Sequence, residues 1–128
     1  MRLAASLRYA IYAALGVLLA TGWARAPGAA LLRLHGAAAM ALLPLVGAAI
    51  ALHVPRAWRE RKNRLSGAIL ATTLLGLTAT GYLLYYSGSD ALRSAASWTH
   101  WACGWSVLLI VAVHVVLARR TRMVSARA

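Results

Sequence analysis

The sequence predicts an all-α protein: a transmembrane four-helix bundle of up-down-up-down topology, forming a single transmembrane domain over residues 1–128. Three observations carry that expectation. Hydrophobic residues make up 62% of the chain, with a mean hydropathy of +0.68. Only two of its residues are acidic. The apolar residues fall into four long runs separated by short connections, and no polar stretch has room for a folded soluble domain.

Helix 1 is expected over about 9–23, the shortest of the four runs. Arg2 and Arg8, the apolar run and Ala24-Arg25-Ala26 imitate a cleavable signal peptide. Pro27 would stand directly after the cut and disfavour it, so a retained helix is expected. Helix 2 is expected over about 31–54, with Pro44 inside it to kink it by removing a backbone donor. Helix 3 is expected over about 65–86 and helix 4 over about 98–118. Most of these runs lie near the ~20 residues that a crossing requires. The connections, residues 24–30, 55–64 and 87–97, are short enough that consecutive helices should be antiparallel neighbours, which makes helices 2 and 4 parallel to each other.

The charge is explained by topology better than by nucleic acid. A net charge of +12 is large, but the basic residues sit between apolar runs and not among stacking aromatics on a soluble face. Eleven of the 14 lie before helix 1, between helices 2 and 3, or after helix 4. Only Arg25, Arg33 and Arg93 fall on the opposite side. Short basic loops stay cytoplasmic, so the N and C termini are expected to be cytoplasmic. Tyr9, Tyr12 and Trp58 would then mark the inner interface, and Trp23, Tyr82, Tyr85, Tyr86, Trp98 and Trp101 the outer one. Trp105 lies deeper and is a candidate for packing on a buried ring.

Four histidines fall inside or at the end of the apolar runs: His35 and His53 in helix 2, His100 and His114 in helix 4. Apart from Arg33 they are the only readily ionised side chains there, and such residues are costly at membrane depth without a purpose. The pairs are 18 and 14 residues apart. At about 100° and 1.5 Å per residue, each pair returns to nearly one helix face, separated by about 27 Å and 21 Å along the axis. A zinc site wants four clustered ligands, which that separation forbids, and a proton relay would normally include carboxylates. Pairing across helices remains: His35 with His100 at the outer level, His53 with His114 at the inner level.

Two imidazoles facing each other across a gap are the axial ligands of a six-coordinate haem iron, and haem is a large apolar plate that suits a bundle centre. No Cys-x-x-Cys-His occurs, so the haem would be non-covalent and b-type. With Leu34-His35-Gly36, Leu52-His53-Val54, Thr99-His100-Trp101, Val113-His114-Val115 and the run Thr80-Gly81-Tyr82-Leu83-Leu84-Tyr85-Tyr86, the chain resembles the small di-haem membrane cytochromes b. That group includes bacterial cytochrome b561-like proteins and the cytochrome b subunits of respiratory complexes. The resemblance implies two haem b stacked across a bacterial inner membrane, with iron ligated by His35, His53, His100 and His114. The 14-residue spacing matches the family pattern and the 18-residue spacing departs from it. The departure leaves about 6 Å of register to be absorbed by the Pro44 kink or by tilt. If neither absorbs it, His53 is interfacial and the protein holds one haem.

Further site candidates follow from the same picture. Gly67 and Gly81, 14 residues apart in helix 3, together with Gly36 and Gly104, would let a porphyrin approach the backbone; packing of small residues is the competing reading. Gly16 and Gly47 are read as packing alone. Arg33 is the best outer partner for haem propionates, ahead of Arg25 and Arg93, with Arg56 and Arg119 as inner candidates. Cys103, the only cysteine, is read as a small packing residue.

The resulting expectation is an electron-transfer subunit in contact with lipid, linking a quinone pool or redox partner on one face to another redox subunit or soluble electron carrier on the other. A quinone is a candidate second cofactor, although no quinone site is identified. Two readings of other classes stand beside it: a non-redox membrane anchor or assembly subunit, and a small proton or metal-ion transporter.

Overall fold

The structure, a computed structural model, describes residues 2–23, 28–61 and 63–125, and its regular structure among these is all helical. The expectations placed on Ala24-Arg25-Ala26, Pro27, Lys62 and Arg127 lie outside the described residues, as do the side chains of Arg2 and Arg122. Four helices are present among the described residues: α1 (Arg2–Gly22), α2 (Ala29–Arg59), α3 (Arg64–Tyr86) and α4 (Asp90–Ser125). All four are long and apolar enough to cross a membrane. The chain divides into two compact units, 1–56 and 57–128.

In the first unit, α1 begins well before the expected Tyr9 and is a full 21 residues long. Helix α2 runs for 31 residues, unbroken through Pro44 and Pro55, and ends five residues past the expected Val54. Each proline lacks an N–H and crowds the carbonyl four residues back, a cost that membrane helices tolerate.

The second unit opens on the last turn of α2, secured by Arg64. Its guanidinium donates through Nε to the Trp58 carbonyl at 3.1 Å, donates to the same oxygen through Nη2, and lies 4.8 Å over the Trp58 ring. That is a cationic cap at the helix end, on a carbonyl that also accepts the Arg61 N–H at 3.3 Å. The turn into α3 places Arg61 and Asn63 at φ of 53° and 52°. This left-handed conformation is one that asparagine tolerates better than most residues.

Helix α4 starts at Asp90, eight residues before the expected Trp98. Hydropathy misses this start because Ser94, Ser97 and Arg93 dilute the apolar pattern, but the capping chemistry is complete. Ser89 accepts the Leu92 N–H on its hydroxyl at 3.4 Å, Asp90 sits at the positive end of the helix dipole, and Arg93 reaches back to the Asp90 carboxylate at 2.6 Å. Just before it, the Ser87 N–H closes α3 onto the Leu83 carbonyl at 3.0 Å.

Helix α3 packs against α4 through small side chains. Thr80 on α3 and Ala96 and Val107 on α4 are buried, while Leu65, Leu75, Tyr82, Trp98 and Leu109 stand exposed. Small residues at a helix contact with large apolar ones outside it are what a lipid surrounding favours. At 36 residues α4 spans about 54 Å, more than the ~30 Å of a hydrocarbon core, so its basic C-terminal turns can extend beyond the apolar layer.

Candidate functional site

Three of the four histidines are held in the same way, each by a hydroxyl on a neighbouring helix. In the first unit Thr21, near the end of α1, places Oγ1 2.9 Å from His35 Nδ1 on α2. In the second unit Thr80 on α3 places Oγ1 2.9 Å from His100 Nδ1 on α4. Ser66, one turn into α3, places Oγ 3.0 Å from His114 Nδ1. Thr80 near the end of α3 meets His100 near the start of α4, and Ser66 meets His114 further on, so these two helices run in opposite directions.

Each hydroxyl also donates to the backbone of its own helix. The Thr21 hydroxyl reaches the Val17 carbonyl at 2.7 Å and the Leu18 carbonyl at 3.2 Å. Thr80 repeats this with Gly76 at 2.7 Å and Leu77 at 3.2 Å. Ser66 reaches the Asn63 carbonyl at 3.1 Å. Mid-helix threonine normally spends its hydroxyl this way, and here the remaining lone pairs face an imidazole.

A glycine follows each hydroxyl residue and lies under the ring. A Cβ added to Gly22 would stand 3.4 Å from His35 Cε1, one on Gly81 3.5 Å from His100 Cε1, and one on Gly67 3.7 Å from His114 Cε1. These are ordinary contacts for a methyl group, so the space would admit alanine. Gly67 and Gly81, expected to let a porphyrin approach the backbone, lie beside the imidazoles of His114 and His100. Gly104 has nothing within 4 Å of an added Cβ, and Gly36 is half-buried beside His35.

The remaining candidates are more exposed. His53 is exposed near the end of α2, whereas His35, His100 and His114 are half-buried. Arg33 is exposed two residues before His35, and Arg56 and Arg119 are exposed on α2 and α4. Arg93 is engaged with Asp90. Trp105 joins an edge-to-face ladder along α4, 6.1 Å from Trp101, which is 6.3 Å from Trp98. At 100° per residue it stands about 140° around the helix from His100, away from the α3 contact. Cys103 is half-buried. Among the described residues no three His, Cys, Asp or Glu side chains cluster, so each dock offers a single imidazole.

Thr21, Gly22, Ser66 and Thr80 carry this geometry and were not singled out by hydropathy or histidine spacing. The signal that exposes Thr21, Gly22 and Thr80 is a repeat: Ala20-Thr21-Gly22-Trp23 and Ala79-Thr80-Gly81-Tyr82 share Ala-Thr-Gly-aromatic. Ala51-Leu52-His53-Val54 and Ala112-Val113-His114-Val115 echo each other in the following helices.

Comparison of the chain with protein-family models, curated proteins and solved structures gives no match. The site must be read from its own chemistry. A histidine that binds metal through one ring nitrogen usually has the other held by a hydrogen-bond partner. Three imidazoles held through Nδ1 leave metal ligation to Nε2, and this donor set fits axial ligation of haem.

Proposed function

We propose that the chain is an integral-membrane di-haem b-type cytochrome that carries electrons across a bacterial inner membrane. Haem, when bound, supplies a one-electron iron couple. His35 and His100 would hold one iron, and His53 and His114 the other, each through Nε2. Thr21, Thr80 and Ser66 orient three of those rings. Arg33 offers a guanidinium to propionates at one level, and Arg56 and Arg119 do so at the other. In this reading the four helices run up-down-up-down with both termini cytoplasmic, and a quinone or a redox protein exchanges electrons at each face.

The observation that carries the proposal is the threefold repetition of the imidazole held by Nδ1 on a hydroxyl within helices apolar enough to cross a membrane. The same bonds favour a second reading, a non-redox anchor in which histidine and hydroxyl simply fasten one helix to the next. An absorption spectrum of the purified protein separates the two. A reducible Soret band with b-type α absorption and two haems per chain is expected, and a colourless protein that takes up no haem would overturn the cytochrome reading.

A further inference from the structure

We infer that Thr21 and Thr80 are positioning residues that fix the proton of His35 and His100 on Nδ1 before any cofactor arrives. This deepens the haem reading and rests on it for its purpose, but the proton placement follows from the hydroxyls, joined at His35 by a hydrogen bond to the Leu18 backbone. Neutral imidazole carries one proton, on either nitrogen, and a hydroxyl carries one proton and two lone pairs. Each 2.9 Å contact can be made in two ways: the hydroxyl donates to a bare Nδ1, or Nδ1–H donates to the hydroxyl oxygen.

The backbone decides between them. Thr21 Oγ1 lies 2.7 Å from the Val17 carbonyl oxygen and Thr80 Oγ1 lies 2.7 Å from that of Gly76. Two oxygens approach that closely only with a proton between them, since 2.7 Å is the usual O–H···O distance. If the hydroxyl proton were turned toward the imidazole, two sets of oxygen lone pairs would face each other at that separation. The threonine proton is therefore committed to the helix, its oxygen can only accept, and Nδ1 must be the donor.

Nε2 of His35 and His100 is then the basic nitrogen, the form that binds iron. Ser66 provides an internal contrast, because its hydroxyl is 3.1 Å from the Asn63 carbonyl and is held less firmly to donate there. His114 should keep the same preference with more admixture of the other tautomer.

The test is nitrogen NMR of the full chain with labelled histidine in lipid nanodiscs, free of haem and at a pH where imidazole is neutral, with resonances assigned by single histidine substitutions. Protonated Nδ1 and unprotonated Nε2 are expected for His35 and His100. Thr80→Val should convert His100 to a tautomer mixture and leave His35 unchanged, while Thr21→Val should act on His35 and not on His100, and less strongly because the Leu18 backbone partner remains. Thr80→Ser should restore the original pattern. Protonated Nε2 on His100 in the unsubstituted chain, or a His100 pattern indifferent to Thr80→Val, would overturn the inference. If Thr80→Val does not fold, Thr80→Ala and the unsubstituted spectrum decide the same point. In haem-loaded protein, losing the N–H···O bond makes the ligand less basic, so Thr80→Val should raise the reduction potential and Thr80→Ser should bring it back. Failure to take up haem would overturn the function, while the cofactor-free spectrum would still decide the proton placement.

Discussion

The two units solve the same problem with different regularity. In α3–α4 the hydroxyls at 66 and 80, the glycines at 67 and 81, and the histidines at 100 and 114 all repeat at 14 residues. Helices of equal pitch and opposite direction can then form both docks in one register. In α1–α2 the Thr21-Gly22-His35 dock has the same dimensions as its counterpart, but the second histidine comes 18 residues on instead of 14 and is exposed. The residue 14 past His35 is Ala49. A full additional turn, with Pro44 between the two histidines, carries His53 toward the basic end of α2. Spacing alone can therefore distinguish a helix pair whose histidines repeat in register with their partner helix from one whose second histidine comes a turn further along.

The largest effects should come from removing the imidazoles. On the cytochrome reading, His100→Ala lowers the haem content from two to one per chain. His53→Ala does the same only if the displaced imidazole is a ligand, so full retention of both haems would show that the irregular spacing has taken it out of the site. Haem-to-protein ratio reads both.

Next in size is crowding of a dock. Gly81→Leu must displace the His100 ring and should cost on the order of 1–3 kcal/mol or misfold the second unit. Gly81→Ala, which meets Cε1 at ordinary contact distance, should be tolerated and can gain up to about 1 kcal/mol from helix propensity. Equilibrium unfolding in mixed micelles measures each. The parallel change Gly22→Ala, with the tighter 3.4 Å contact, should gain less, which would quantify how closely the two docks match.

Losing a hydroxyl comes below that. Thr80→Val should cost about 0.6–1.7 kcal/mol, the range of interhelical hydrogen bonds within membranes. Ser66→Ala, whose bonds are longer, should fall at the lower end. A smaller effect still is expected at the start of α4. The Ser89 cap bond is long and exposed, so Ser89→Ala should cost about 0.5 kcal/mol. Arg93→Ala, which breaks only the exposed pair with Asp90, should leave stability unchanged within error.

The helices themselves were legible because a crossing needs a run of apolar residues, and such runs survive in any window. Their ends were less so. Residues 90–97 read as a connection because hydropathy weighs Arg93 and the serines without recognising that Ser89 and Asp90 begin a helix. Pro55 suggested a stop that the downstream turn, fastened by Arg64, overrides. The histidines stood out by cost, whereas their holders did not. Threonine and serine are unremarkable in an apolar helix, and Thr21 becomes informative only beside a residue 14 positions away on another helix. The glycines at 67 and 81 were visible as a spacing, but one sequence cannot say whether the flat object over them is a porphyrin or an imidazole.

The headroom above Gly22, Gly67 and Gly81 bears on how such a dock would vary among sequences. A methyl fits there, so exchange between glycine and alanine should be tolerated, while the position before it has no comparable freedom. Only serine and threonine place a neutral hydroxyl at that length from the backbone. What should persist is thus a pairing across helices: serine or threonine followed by glycine or alanine near one helix end, and a histidine about one turn or more into the next. A scan for that grammar, with no demand on overall similarity, would find other chains that hold an imidazole this way even where the rest of the sequence has drifted beyond alignment.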